Sequence, residues 1–144
     1  MRCTACGLVV YAKPAPAVCA LIEDTEGHVL LARRAYEPAA GKWDILGGFV
    51  DEFEEPLDAL RREMREELGV EVEPHRFVGV VADRYGEGGG ATLNLCWAAR
   101  ITDGEPRPSD EISELRWFGR DELPARDDFA FANCHQLLDL WRGQ

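Results

Sequence analysis

Apolar and turn-forming residues alternate along the chain in a way that predicts several strands and two helices. Extended apolar runs predict strands at 14–22, 28–33, 72–84, 91–101 and 115–118. The turn residues 24–27 join the first two runs as a hairpin, and the glycine cluster 86–90 is the tip of a second one. A closing helix is predicted over 128–141, with its buried side formed by or near Phe131, Leu137, Leu138 and Trp141.

The other helix is predicted in the middle of the chain, over residues 57–68. Pro56 suits its first turn because a residue there needs no N–H donor, and Gly69 is placed to end it. This order of strands and helices predicts a mixed sheet between helices. The apolar residues of the helix recur at helical spacing and form one stripe: Leu57, Leu60, Met64 and Leu68.

The same helix carries three glutamates on a separate flank. At about 100° per residue, Glu63, Glu66 and Glu67 occupy an arc of roughly 100° away from the apolar stripe. A solvated acidic face with ion pairs such as Arg62–Glu66 is one interpretation. The other is a site for a hard divalent cation. Like-charge neighbours such as Glu63 and Glu67 each cost roughly 0.2–0.5 kcal/mol in an isolated helix, and such a cost without visible gain often marks a functional site. The paired glycines of the preceding run 46–50 allow its carbonyl groups to approach such a cation.

A longer pattern surrounds this cluster. The segment from Gly48 to Val70 fills every position of G-x5-E-x7-R-E-U-x-E-E-x-G-U, where U is a bulky aliphatic residue. It resembles the Nudix box, and the similarity continues into the flanking stretches 33–51 and 111–124. The resemblance implies an α/β fold, the Nudix α/β/α sandwich. We therefore expect a Nudix hydrolase domain at 14–144, preceded by a short cysteine-containing segment at 1–13.

The resemblance also implies a chemistry, which is the hydrolysis of a nucleoside diphosphate linked to another group, with Mg²⁺ or Mn²⁺ as the cofactor. Carried over residue by residue, Glu66 and Glu67 are the principal metal ligands, and Glu63 is a further ligand or the base. The carbonyl oxygen of Gly47, just before the box glycine, is another ligand.

Supporting roles follow from the same resemblance. Arg62 and Glu54 form the ion pair that orients the catalytic helix. In part of the family the final base lies outside the box, and Glu111 and Glu114 are both candidates for it. The residues alone do not choose between them.

The net charge of the chain limits the classes of molecule that it can bind. With 27 acidic against 16 basic residues the net charge is −11, which disfavours general binding to nucleic acids. A nucleotide is an anion as well, so its site needs a cation to invert the local charge. No apolar run has membrane-spanning length and no targeting pattern is present, so a cytoplasmic location is expected. Because the family often dimerises, a homodimer is a further expectation.

The five cysteines are an odd number and predict no disulfide framework. The run Cys3-Thr4-Ala5-Cys6-Gly7 resembles one knuckle of a zinc ribbon, a module that some Nudix enzymes carry before the catalytic domain. Structural Zn²⁺ needs four ligands, and no second C-x-x-C is present. Three interpretations stay open: a relic knuckle without metal, a ribbon completed by upstream residues or by another chain, and a redox pair.

Three residues upstream of the glycines are candidates for substrate binding. Arg33 and Arg34 can hold a phosphate group, and Trp43 can stack on a base; a solvated strand end and core packing are the alternatives. We expect ADP-ribose or a related nucleotide sugar as the substrate, because residues 33–38 and the ribbon-like start resemble that branch. NADH is disfavoured, since the S-Q-P-W-P-F-P stretch of NADH pyrophosphatases is absent. The alternatives are a pyrophosphohydrolase that sanitises nucleoside triphosphates and a non-catalytic nucleotide-sensing domain.

Overall fold

The structure is a computed structural model that describes residues 1–144. Its elements are, in chain order, β1 (Ala15–Glu23), β2 (Val29–Arg34), β3 (Trp43–Asp44), β4 (Leu46–Phe49), α1 (Pro56–Leu68), β5 (Glu71–Arg84), β6 (Ala91–Asp103), β7 (Ile112–Phe118) and α2 (Ala132–Arg142), with a short 3₁₀ turn at Arg126–Asp128 before α2.

The seven strands form one mixed sheet with β1 at its centre. The main strand order is β3-β2-β1-β6-β5, while β4 pairs with β1 and β7 pairs with β2. Strand β1 runs parallel to β6 and antiparallel to β2 and β4. Because β1 has neighbours on both sides and layers on both faces, residues 17–22 are all buried and apolar, as the continuous apolar run predicts.

One helix covers each face of the sheet. Alternate residues of β1 point to opposite faces, so Val18 and Ala20 pack with α1, whereas Cys19 and Leu21 pack with α2. The predicted α/β/α sandwich with a mixed sheet is therefore confirmed. Neither helix is long and apolar enough to cross a membrane.

Helix α1 follows its sequence pattern closely. It begins with Pro56 in the first turn and ends at Gly69, whose backbone is left-handed with φ 69°. Leu60, Met64 and Leu68 are buried as predicted, and Ala59 is buried beside them, while Leu57 is only partly buried.

Two strand predictions need correction. The last strand begins at Ile112, three residues before the predicted start at Leu115. The β1–β2 hairpin is present, but only Ile22 and Glu23 pair across it, because residues 17–20 of β1 pair with β4 instead. On its other edge β2 pairs with β7. That pairing is between segments far apart in sequence, and it lengthens β7 beyond its apolar stretch.

The prediction that the closing helix starts at residue 128 is wrong, since α2 begins at Ala132. Phe129 forms a bridge with Trp43, and the N–H of Ala130 donates to the Trp43 carbonyl oxygen at 2.8 Å. This contact with β3 holds the backbone extended, so the helix can begin only after it. Phe131 consequently precedes the helix, although it still packs against the core.

The stripe of α1 allows a test of the packing. Replacing Met64, which is fully buried, by Ala should lower the free energy of unfolding by about 2–5 kcal/mol, because it leaves a cavity between helix and sheet. Leu140→Ala is the control, because Leu140 on α2 is 43% exposed, and it should lower the free energy of unfolding by about 1 kcal/mol or less. Urea unfolding followed by circular dichroism measures both values, and equal losses would contradict the packing described here.

Candidate active site

A cavity of about 430 Å³ opens beside the start of β4 and the middle of α1. Carboxylates of Glu63, Glu67 and Glu111 line it, and so do Arg33 and Arg34. Its volume lies in the range that small-molecule sites occupy. Acidic and basic groups from separate parts of the chain therefore meet in one cleft.

The two glycines of β4 let the backbone lie close to its neighbours on both sides. A Cβ atom at Gly47 would overlap the backbone carbonyl of Val18 on β1, which cannot move aside. A Cβ atom at Gly48 would overlap the carboxylate of Glu63. The absence of side chains here is therefore what gives the Glu63 carboxylate its room.

Glu67 is the most enclosed acid of the α1 cluster. The N–H of Gly47 donates to Glu67 Oε2 at 3.2 Å, and no other hydrogen bond to this carboxylate is present. Burial raises the pKa of Glu67 well above its usual range, and repulsion from Glu63 adds to the rise. Burial also raises the pKa of Glu63, against the opposing hydrogen bond from Arg62.

These residues fit a hard divalent cation. The donors are oxygen atoms only, they are crowded and partly desolvated, and a cation beside them would offset both the burial and the repulsion. Mg²⁺ and Mn²⁺ prefer such ligands. Gly47 lines the same cavity, and the role of its carbonyl oxygen as a ligand stays a prediction.

Arg62 joins the loop before α1 to the acidic cluster. Its Nε and Nη2 donate to the two oxygens of Glu54 at 2.8 and 2.9 Å, and its Nη2 also donates to the Phe49 carbonyl at 3.0 Å. Its Nη1 donates to Glu63 Oε1 at 2.7 Å. The paired guanidinium lowers the pKa of Glu54 to about 2. The contact expected between Arg62 and Glu54 is thus present.

Glu66 does not enter the cleft with the other two glutamates. Its side chain is 59% exposed, lies outside the residues that line the cavity, and contacts Arg62 Nη1 at 3.4 Å. The oxygens of the three glutamates do not all lie within 4.8 Å of one another. Mutual repulsion and the intervening guanidinium account for this spread, and the ligand role of Glu66 stays a prediction.

The two candidate bases outside the box occupy different places. Glu111 lies in the loop before β7 and lines the cavity, where its charge faces Glu67. Glu114 lies on β7, outside the cavity lining, and forms ion pairs with Arg33 and Arg116. Only Glu111 is therefore brought to the acidic cluster.

The arginines line the cavity, and Trp43 does not. Arg34 donates to Asp44 at 2.8 Å, to the Pro38 carbonyl at 2.7 Å and to the Tyr85 hydroxyl at 3.2 Å. Trp43 is 5% exposed and packs edge-on against Phe118 in the core, with the Arg33 guanidinium over its ring. The geometry gives it no face on which a base can stack.

Several polar and aromatic lining residues were not predicted as site residues. Burial raises the pKa of Asp44, which accepts hydrogen bonds from Arg34 and from the Cys134 thiol. The one sequence signal for such residues was polar side chains inside an apolar strand, at Thr92 and Asn94 of β6. The cavity lining also includes Phe131 and Asn133 from the start of α2.

The cysteine segment lies outside the sheet and forms a small hairpin. The N–H of Cys3 donates to the Leu8 carbonyl at 2.7 Å, and that of Gly7 donates to the Cys3 carbonyl at 3.0 Å. Backbone N–H groups of Cys6 and Ala5 lower the pKa of the exposed Cys3 thiol. No group of three potential metal donors includes Cys3 and Cys6, so the structure supplies two of the four ligands that structural zinc needs.

Comparison with known proteins identifies the family. The profile of the NUDIX domain matches residues 13–138. Over 127 residues the chain is 35% identical to the NAD-capped RNA hydrolase NudC of Stutzerimonas stutzeri (strain A1501), which covers 87% of this chain and 44% of that protein. It is 34% identical over 125 residues to the NudC of Pseudomonas aeruginosa (strain LESB58), with coverage of 86% and 43%. The chain thus spans less than half the length of these relatives.

Solved structures agree with this result. The crystal structure of a MutT NUDIX hydrolase from Burkholderia pseudomallei matches with a TM-score of 0.79 and 31% identity, covering 89% of this chain and 98% of that one. A NUDIX hydrolase from Nitrosomonas europaea matches with a TM-score of 0.77 and 28% identity, covering 99% and 77%.

The chain belongs to the Nudix hydrolase family, whose members act on pyrophosphate bonds. Enzymes of this family act on nucleotide substrates and generally use divalent metals such as Mg²⁺ or Mn²⁺, in agreement with the donors that line the cleft.

The close approach at Gly48 provides a test of the site. Gly48→Ala should leave the fold intact, because the Glu63 side chain can swing away from the new methyl group. The displaced carboxylate should weaken Mn²⁺ binding by about 10–100-fold, the usual range for disturbed metal-site geometry. Titration calorimetry measures this affinity.

Gly90→Ala is the matched control, because a Cβ atom there meets no other atom within 4 Å. It should bind Mn²⁺ like the wild type. Wild-type affinity in Gly48→Ala would show that the Glu63 carboxylate does not contribute to metal binding.

Proposed function

We propose that the enzyme hydrolyses the pyrophosphate bridge of a nucleoside diphosphate linked to a second group, with ADP-ribose or a related nucleotide sugar as its substrate. The observation that carries this proposal is the meeting of acids with arginines in one cleft of about 430 Å³, among them Glu63, Glu67 and Glu111 with Arg33 and Arg34. An all-acidic cleft would repel a diphosphate, whereas this one offers both a cation site and positive side chains.

In this proposal Glu63 and Glu67 hold the cation, together with Glu66 and the carbonyl oxygen of Gly47. A bound divalent cation supplies charge neutralisation for the phosphate oxygens and lowers the pKa of water. Arg62 keeps Glu63 directed towards the cleft by anchoring it to Glu54 and to the Phe49 carbonyl. These contacts make the loop and the helix one rigid support.

Glu111 is our candidate for the base. It lies in the cleft, unlike Glu114, whose carboxylate is neutralised by two arginines. A carboxylate oxygen of Glu111 would take the proton of the attacking water as the water adds to phosphorus, while the bond from that phosphorus to the bridging oxygen breaks and the bridging oxygen leaves with the other phosphate. Glu63 is the other candidate for the base. It already accepts a hydrogen bond from Arg62, so we assign it the role of a metal ligand instead.

Arg33 and Arg34 would hold the phosphate groups from the opposite wall. Arg34 is fixed on two sides by Asp44 and the Pro38 carbonyl, so its guanidinium is held in one orientation before substrate arrives. A side chain that is already held in its binding orientation loses little conformational entropy when the ligand binds. Arg33 lies beside it on β2 and is held over the Trp43 ring.

The relatives favour a second candidate substrate. The curated proteins that the chain resembles are named NAD-capped RNA hydrolases, and an NAD cap contains the same adenosine diphosphate group as ADP-ribose. The net charge of −11 argues against strong binding to the RNA body itself. The cytoplasmic location and the homodimer expected from the sequence stay predictions.

Product analysis tests the substrate proposal. With Mg²⁺, ADP-ribose should give AMP and ribose 5-phosphate, measured by mass spectrometry. Nucleoside triphosphates and an NAD-capped oligonucleotide are tested in parallel at equal concentration. Faster release of pyrophosphate from a triphosphate would favour the sanitising function, and faster decapping would favour the RNA substrate. Failure on every phosphoanhydride would overturn the proposal.

Glu67→Gln tests the acidic cluster. The change removes one charge and little volume, so kcat should fall by at least about 100-fold while the protein stays folded. Its free energy of unfolding should not fall, because a desolvated carboxylate near Glu63 is removed. Glu73→Gln, at an exposed position of β5 whose one ion pair is with Arg61 at 3.6 Å, is the control and should keep wild-type kcat. Full turnover in Glu67→Gln would rule out its role as a ligand.

A further inference from the structure

Thr92 and Asn94 are the only two polar residues among the 32 buried residues of the chain. They lie on the face of β6 that also carries Cys96, and Asn94 is 5% exposed. An amide taken out of water costs free energy unless its hydrogen-bonding groups are paired. The hydrogen-bond partners of the Asn94 side chain therefore indicate its function.

The protein uses both N–H groups of the Asn94 amide. Asn94 Nδ2 donates to the Val81 carbonyl oxygen at 3.2 Å and to Thr92 Oγ1 at 3.0 Å, and the Thr92 hydroxyl donates to the Asp83 carbonyl at 3.3 Å. A reversed amide would set its oxygen against the Val81 carbonyl, which is acceptor against acceptor. The orientation of the Asn94 side chain is thus fixed by β5 and β6.

The carbonyl oxygen of the same amide has no partner in the protein. Asn94 Oδ1 accepts no hydrogen bond, and it is not among the fully enclosed polar atoms that lack one. Asn94 lines the cleft. A rigid, partly desolvated acceptor is therefore available there to a ligand that brings an N–H or O–H group.

The surroundings favour a flat, uncharged part of the substrate. Tyr85 and Phe131 also line the cleft and stack on each other, with ring centroids 5.3 Å apart and planes at 27°. The Arg34 guanidinium lies 5.1 Å from the Phe131 centroid, so the two rings offer a base an apolar edge rather than an open stacking face. In the proposed function the arginines bind the phosphates, and Glu63 and Glu67 bind the cation. The aromatic and neutral polar part of the lining is therefore the part that can contact the base. Aromatic surface suits a base better than it suits a sugar.

We propose that Asn94 Oδ1 accepts a hydrogen bond from the exocyclic amino group of the substrate's nucleobase, so that Asn94 selects adenine over hypoxanthine. Hypoxanthine carries a carbonyl oxygen where adenine carries the amino group, and two acceptors would then face each other. The inference rests on the proposed function, because it takes the substrate to be a nucleotide. It adds a specificity-determining residue to that function.

The test compares kcat/KM for ADP-ribose and for its hypoxanthine analogue, IDP-ribose. The wild type should prefer ADP-ribose by about 10–100-fold, as expected for one good hydrogen bond replaced by a repulsion. Asn94→Leu removes the acceptor at similar volume, and its preference should fall to about 3-fold or less.

Two results would overturn the inference. One is a wild type that hydrolyses both compounds equally, as it would if Asn94 contacted a sugar hydroxyl. The other is an Asn94→Leu variant that is folded by circular dichroism and keeps the full preference. Should Asn94→Leu not fold, Thr92→Val takes its place; it removes one of the two hydrogen bonds that orient the amide and should narrow the preference by about 3-fold or more.

Binding of the products AMP and IMP, measured by calorimetry, separates this inference from the proposed function. Hydrolysis without any preference between the bases refutes the role of Asn94 and leaves the function standing. Tighter binding of AMP than of IMP by the wild type, lost in Asn94→Leu, with no hydrolysis of ADP-ribose, supports base recognition and refutes the substrate.

Discussion

Two carboxylates, Glu63 and Glu67, are kept near each other in a partly desolvated cleft, and this arrangement opposes folding on its own. Burial raises the pKa of both groups, and repulsion from Glu63 raises that of Glu67 further, so the ionised pair is favourable only when positive charge is nearby. The packing of α1 against the sheet, through buried residues such as Leu60 and Met64, stabilises the helix that carries them. The cleft therefore holds negative charge in a form that a cation and an anionic substrate can offset together.

Arg62 holds the acidic cluster in place without cancelling its negative charge. The guanidinium contacts Glu63, but it also donates twice to Glu54 in the preceding loop and once to the Phe49 carbonyl at the end of β4. It therefore acts as an anchor between loop and helix, and the low pKa of Glu54 keeps that partner charged at any physiological pH. Glu67 has no such counter-ion and only one backbone donor, which leaves it as the acid with the most to gain from a metal.

The sequence predicted best those features that lie within one continuous segment. The limits of α1, most of its buried stripe and the end at Gly69 follow from spacing along one helix, and the Arg62–Glu54 contact was implied by the resemblance of the same segment to the Nudix box. Features that depend on pairing between distant segments were missed. The early start of β7 depends on β2, the late start of α2 depends on Trp43, and the choice between Glu111 and Glu114 depends on which carboxylate the β7 edge turns towards the cleft. Local patterns hold no information about these long-range contacts.

The same distinction separates the chemistry of the site from its specificity. The acids that would hold the cation come from a box of 23 consecutive residues, so their geometry is carried by one helix and the turn before it. The wall that would meet the base is assembled from β6, the end of β5 and the residues just before α2, which are far apart in the chain. A change at any of these positions can alter base recognition without disturbing the box. The fold can therefore keep one hydrolytic centre while its substrate changes, and the substrate has to be deduced from residues such as Asn94, whose hydrogen bonds show which group remains unpaired.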